Sequence, residues 1–359
     1  MRPVRLVLSL SLGLGLAACG GSDGGSAPGG FDDSQVIADF ADNVVIPTYG
    51  ALADRATDLH AAAMTLEGDP SEPNLAAART AWIATRTPWE QSEGFLFGPV
   101  SANGYDPAID SWPLNTTDLE AVLAGSDELT PAFIRGLPDT QKGFHTSEYL
   151  IFGVTGTKTA AALTERELTY LVALTTDLVD ITEALETSWT TGEQPFRDVF
   201  ATAGTRGNTA YPSLSAAAQE LLGGMSGICD EVANGKIADP YDAHDPELVE
   251  SQYSENSIAD FQDNLRSVEN AYLGRFSGTG GRSLADVVAT VDPALDTRFR
   301  AEVTAAIEAI GEIPPPFSVS LATPSAYPAI EAAQEAVRTV QATIDGALTL
   351  AVLDGTAAQ

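Results

Sequence analysis

The chain has 359 residues, with 50 Asp and Glu against 18 Lys and Arg, a formal net charge of −32 and a hydrophobic content of 44%. Such acidity repels nucleic acid and anionic headgroups, so neither is an expected partner, while cations are favoured. The bulk of the charge reads as a solubility or salt-habitat feature, in keeping with only three lysines, Lys142, Lys158 and Lys236.

At the start of the chain, Arg2 and Arg5 form a positive region and Leu6 to Leu16 an apolar one too short for a stable membrane span. Leu16-Ala17-Ala18-Cys19 then looks like a bacterial lipobox, which makes residues 1–18 a lipoprotein signal peptide and Cys19 the lipid-modified first residue. An ordinary cleaved signal with an incidental cysteine is the alternative. The Gly/Ser-rich run that follows makes residues 19–30 a lipidated Cys and flexible tether. Gly20 in place of Asp points to the outer membrane. The expected location of this exported bacterial lipoprotein is the periplasmic face of the outer membrane or the cell surface, with the membrane contacted through the lipid on Cys19. No other apolar run is expected to cross a bilayer. With Cys19 lipidated, Cys229 has no disulfide partner, so burial must stabilise the fold.

Helical periodicity dominates the rest. Apolar residues recur at three- and four-residue steps from Asp33 to Leu66 (interrupted at Pro47), Asn74 to Phe95, Glu165 to Trp189, Ser213 to Ile237, Ser257 to Leu273, Pro293 to Ile310 and Ser325 to Leu353. Strand signals are poor, and the fold class is all-α, built as bundles. The length beyond the tether suits two packed domains or one elongated one. Ala38-Asp39-Phe40-Ala41-Asp42-Asn43 echoes Ala259-Asp260-Phe261-Gln262-Asp263-Asn264, as duplication of a helical domain or chance similarity would produce. No sustained heptad indicates an oligomeric state.

Two pairs at three-residue spacing carry the chemistry. In Gly143-Phe144-His145-Thr146-Ser147-Glu148, a helical His145 and Glu148 stand three positions apart on one face, so an imidazole and a carboxylate can converge on one ion. Glu90 and Glu93 have the same spacing, and Asp106 and Asp110 lie in an irregular stretch, Phe97 to Asn115, of the length that is usually functional. The structural alternative is ion pairing of the glutamates with Arg86 and a hydrogen-bonded interface His145. Trp82, Trp89 and Trp112 read as core or interface anchors.

Three blocks in order resemble the imelysin family of bacterial exported proteins: Trp82 through Pro113, the G-x-H-x-x-E block from Gly143 to Gly153, and Val249-Glu250-Ser251-Gln252-Tyr253-Ser254-Glu255-Asn256-Ser257 running to Gly274. The resemblance spans essentially the whole mature chain. It implies two packed four-helix-bundle-like domains with a site at their interface, here residues 31–157, carrying the motif, and 158–355. By the same resemblance, Glu90, Glu93, Asp110 and His145, with Glu148 beside them, form a metal site in a protein tied to iron uptake. A divalent or trivalent metal ion, iron foremost, is the implied cofactor, and other iron-uptake components are the implied partners. Arg86, Asp106, Tyr253, Ser254, Asn256 and Asp260 would line the cleft or support its ligands, although Ser254 or Ser257 could instead cap the helix starting near Ile258. The expected function is therefore that of a lipid-anchored, metal-binding protein of iron uptake. The alternatives are a metal-dependent peptidase, the activity behind the family's name, and a non-catalytic protein-binding lipoprotein. The H-E-x-x-H pattern of zinc proteases is absent, and no nucleophile with an adjacent base stands out.

Overall fold

The computed structural model describes residues 30–278 and 280–357; the expected signal peptide, Cys19 and nearly all of the tether lie outside them. The described residues form helices and no strand. The segment expected from Glu165 to Trp189 is a helix over Glu165–Thr190, fixed at its start by a capping box in which the Thr164 side chain and Glu167 satisfy each other's backbone N–H. The Pro293–Gly311 helix starts where Asp292 accepts from the N–H groups of Ala294 and Leu295, and Pro293 needs no donor there.

Pro47 does not interrupt its helix. Ser34–Phe40 runs through a wider π-turn at Ala41–Val45 into Ile46–Gly68. The carbonyl of Asn43, which a proline four residues on cannot bond, instead accepts the Phe276 N–H at 2.9 Å. Similar π-turns continue Leu214–Asp230 through Glu231–Ile237 and Tyr327–Thr343 through Leu350–Asp354. The stretch expected to be irregular, Phe97 to Asn115, contains two short helices, Pro99–Ala102 and Tyr105–Asp110. Against expectation, Tyr327–Asp354 is long and apolar enough to cross a membrane by length and composition; it packs one face, including Val337, Ile344 and Leu348, into the core.

Ile46–Gly68 packs along Glu72–Glu90 and Glu165–Thr190, with Gly143–Phe152 laid across the latter two, while Leu214–Asp230, Ser257–Leu273, Pro293–Gly311 and Tyr327–Thr343 pack on one another. The long Glu165–Thr190 helix, expected in the C-terminal half beyond residue 157, thus lies with the N-terminal helices, because its apolar face is complementary to Ile46–Gly68. Glu72–Glu90 and the Glu93–Phe95 turn join the two sets by packing on Ser257–Leu273 and Leu214–Asp230, and the buried apolar residues form one continuous core.

Trp82 pins the motif helix to this frame. It is fully buried, donates from Nε1 to Phe144 O at 3.0 Å, and meets the rings of Phe144 and Phe152 edge-on. Trp82→Ala is expected to cost about 3–5 kcal/mol in chemical denaturation; a loss below about 1 kcal/mol would show that the helix is held by other contacts.

Candidate metal centre

Arg86 is fully buried at the centre of the site. It lies one turn before Glu90 on Glu72–Glu90, so the two side chains share a face and form an ion pair. Its Nη1 is 2.5 Å from Asp110 Oδ1, its Nη2 is 2.9 Å from Glu250 Oε1, and its Nε is 3.6 Å from Asp260 Oδ1. Asp110 is delivered by the end of Tyr105–Asp110, Glu250 by the turns before Ser257–Leu273, and Asp260 by the first turn of that helix. The other Asp110 oxygen accepts from Trp89 Nε1 at 2.6 Å.

The motif glycine has a steric explanation. Gly143 opens its helix at φ +69°, and a Cβ there would stand 2.1 Å from the Ile109 carbonyl, so only glycine lets Gly143–Phe152 approach the segment carrying Asp110. His145 is then buried, with Nδ1 3.1 Å from Glu148 Oε2 and Nε2 3.1 Å from Asp110 Oδ1 and 3.8 Å from Glu250 Oε1. Nδ1–H donates to Glu148. Nε2, although close to Asp110, has no aligned hydrogen-bond partner. Glu148 Oε1 is occupied by the N–H groups of Tyr253 and Ser254 at 3.1 and 2.7 Å and by the Ser254 hydroxyl at 2.7 Å. The Trp112 ring covers the imidazole at 4.7 Å between centroids.

A second cation borders the first. Lys236 Nζ lies 2.7 Å from Glu93, 3.1 Å from Glu250, 3.5 Å from Glu90 and 3.9 Å from Glu231. Asn264 Nδ2 donates to both Glu90 Oε2 and Glu93 Oε2, at 2.6 and 2.7 Å. Five carboxyls, those of Glu90, Glu93, Asp110, Glu250 and Asp260, therefore surround two permanent cations.

Burial and this excess together decide the protonation pattern. Burial opposes charge on Asp110 and Glu250, but Arg86 and His145 hold Asp110 down at about 2, and Lys236, His145 and Arg86 hold Glu250 well below its usual range. Burial pushes Glu90 up to about 8 and, with the neighbouring Glu90, Glu93 well above the carboxylate range; Asp260 rises to about 6 by burial. Burial would lower His145, yet Asp110 and Glu148 outweigh it and hold the imidazole protonated. The metal-free cluster thus balances itself with protons.

Of the residues expected at the site, Glu90, Glu93, Asp110, His145, Arg86 and Asp260 converge. Two sets of donor atoms lie close enough to share an ion: Asp110, His145 and Glu250, and Glu90, Glu93 and Asp110. Glu148 departs from the expected ligand role, because its carboxylate lies on the Nδ1 side of the imidazole, away from the other acids, and is saturated by the Tyr253–Ser254 turn. Asp106 makes no ion pair with Arg86, and burial with Asp110 nearby raises it to about 6. Ser254 grips Glu148 instead of capping a helix, Ser257 donates to the Glu250 carbonyl, and Asn256 donates to Asp260 Oδ1 at 2.7 Å. Glu250, Lys236 and Asn264 are the residues that helical spacing missed; Glu250 lies within the third resembling block, and Lys236 is one of only three lysines.

The raised Glu90 pKa has a stability consequence with a definite sign. The folded state holds that proton between the ordinary value of 4.5 and about 8, so Glu90's contribution to stability is complete below 4.5 and is lost as pH rises through this window. Between pH 5 and 8, wild type should lose stability more steeply than Glu90→Gln in denaturation measurements on metal-free protein. Parallel curves would place the proton elsewhere.

The sequence model of the family described as imelysin matches residues 45–344. Iron-regulated protein A of Synechococcus elongatus is 35% identical over 315 residues, which cover 87% of this chain and 85% of that protein. A crystal structure described as that of an iron-regulated protein A precursor from Parabacteroides distasonis superposes with a TM-score of 0.81 at 28% identity, covering 89% of this chain and 94% of the other. An imelysin-like protein from Psychrobacter arcticum shares the fold with a TM-score of 0.71 at 13% identity, over 91% of this chain and 99% of its own. On the extent of these matches, the chain belongs to the imelysin family.

Proposed function

We propose that the protein binds a metal ion, iron foremost, at the Arg86-centred cluster and serves bacterial iron uptake as a lipid-anchored exported protein. The observation that carries this reading is His145 Nε2: a buried nitrogen without a hydrogen-bond partner, aimed between Asp110 and Glu250. Its other nitrogen is held by a carboxylate that is itself fully hydrogen-bonded, the arrangement that fixes the tautomer of metal-binding histidines. Asp260 Oδ2 is likewise buried without a hydrogen-bond partner, so the residues present fit a cation.

His145, Asp110 and Glu250 would hold the ion, with Glu90 and Glu93 as further donors; oxygen donors with one imidazole suit iron, manganese or zinc. Binding would release the protons that Glu90, Glu93 and His145 carry, which makes it pH-dependent. Two features favour iron uptake at a membrane: the Synechococcus elongatus relative is named for iron regulation, and the Arg2-to-Cys19 pattern resembles that of a lipidated export signal. A zinc-protease site would ordinarily draw on a second imidazole, yet His60 bonds Thr175 and His244 bonds the Leu321 carbonyl.

Calorimetric titration of the mature chain with ferrous, ferric, manganese and zinc ions tests the proposal. Near-stoichiometric binding should weaken at least about tenfold in His145→Ala and in Glu250→Ala, and by about 10–100-fold in Glu148→Gln, which leaves the ligands but loses the tautomer hold. Weak binding, equal in all three variants, would mean that the acidic surface alone attracts the ions.

A further inference from the structure

The cluster has one edge toward solvent. The side chains of Arg86, Glu90, His145 and Glu148 are 0% exposed and that of Asp110 3%, whereas Glu93 is 7% and Lys236 and Glu250 are each 8% exposed. Against that edge lies a groove of about 450 Å³ bounded by Glu93, Leu96, Gly223, Gly224, Gly227 and Glu231. At its mouth the Glu231 side chain is 59% exposed and 3.9 Å from Lys236 Nζ, and on its floor Glu93 is 2.7 Å from the same ammonium.

Glycine makes the groove. A Cβ on Gly224 would stand 2.4 Å from the Gly94 carbonyl, so this glycine lets Leu214–Asp230 close on the Glu93–Phe95 turn. Gly223 and Gly227 lie one turn apart on the same helix, and a Cβ on either meets nothing within 4 Å. Packing does not demand glycine at these two positions, and each costs about 1 kcal/mol of helix propensity relative to alanine. What they leave is space. A cation with six waters occupies about 180 Å³, at roughly 30 Å³ per water, and fits the groove.

We infer that this groove is the path by which a hydrated metal cation reaches and leaves the cluster, from Glu231 at the mouth to Glu93 on the floor, with Lys236 as the resident cation that must be displaced toward Glu231. The inference rests on the metal-binding reading above. It assigns the rate of exchange to residues that are not ligands: Gly223 and Gly227 set the width, and Lys236 sets a like-charged barrier.

The test is stopped-flow mixing of the mature chain with manganese(II) alone, read by intrinsic fluorescence from Trp112 over the imidazole and Trp89 on Asp110. In the Gly223→Leu/Gly227→Leu double variant each added Cβ meets nothing within 4 Å and the helix gains propensity, so its fold should persist, as circular dichroism would verify. Association and dissociation rates are expected to fall together by at least about tenfold, with the equilibrium constant held within about twofold. Lys236→Met should speed association. Rates unchanged in the double variant, or an affinity lost while rates of release rise, would overturn the groove as the path and leave metal binding standing. Absence of manganese binding to wild type, with iron and zinc also unbound in calorimetry, would overturn both.

Discussion

A fully buried guanidinium is the constraint around which the rest of the site is arranged. Arg86 cannot lose its proton, so burying it requires acids placed around it from several directions, and truncating one partner of such a pair typically costs about 3–5 kcal/mol. The acids come from Glu72–Glu90 itself, from Tyr105–Asp110, from the turns around residue 250 and from Ser257–Leu273. Trp82 and Phe144 flank the same group, with the guanidinium carbon 5.8 and 5.1 Å from their ring centroids. One buried charge thus joins the N-terminal helices to the C-terminal ones, and the junction is the candidate metal centre.

The acids outnumber the permanent cations beside them, so the cluster has room for a further positive charge. Burial holds Glu90 up to about 8 and Asp260 up to about 6. Protons fill the deficit in the metal-free chain, and a multivalent cation could replace them. Lys236 belongs to the same balance from the solvent side, as a charge that neutralises Glu250 and lies beside Glu93 without closing the cluster.

Much of this was legible in the sequence, and the exceptions have physical causes. Amphipathic periodicity identifies the long helices because each buries one stripe, and the shared face of Arg86 and Glu90 follows from a four-residue step. Tyr105–Asp110 is too short for periodicity, so its Gly- and Pro-rich surroundings read as loop. Pro47 reads as a break because a regular helix cannot accommodate it, whereas a π-turn with a tertiary acceptor can. Spacing correctly puts His145 and Glu148 on one face, but it does not say that the backbone of Tyr253 and Ser254 takes the carboxylate. Glu250 escapes because it sits among turns, with Ser251 and Glu255 at positive φ, where no repeat marks a side chain's direction. Of the two echoing segments, only the second supplies site residues, Asp260 and Asn264; Asp39 and Asp42 of the first bond the Arg282 backbone N–H and the Arg197 side chain.

The central claim is that His145 Nε2, Asp110 and Glu250 share one ion while Glu148 only orients the imidazole. Diffraction from crystals of the iron-loaded mature chain, recorded at the iron absorption edge to locate the metal by its anomalous signal, tests this directly. The expected result is a single internal peak within coordinating distance of His145 Nε2, with Glu148 still bonded to Ser254. A peak on the Glu148 carboxylate, or iron bound only to exposed acids while Arg86 and Lys236 keep their partners, would contradict it.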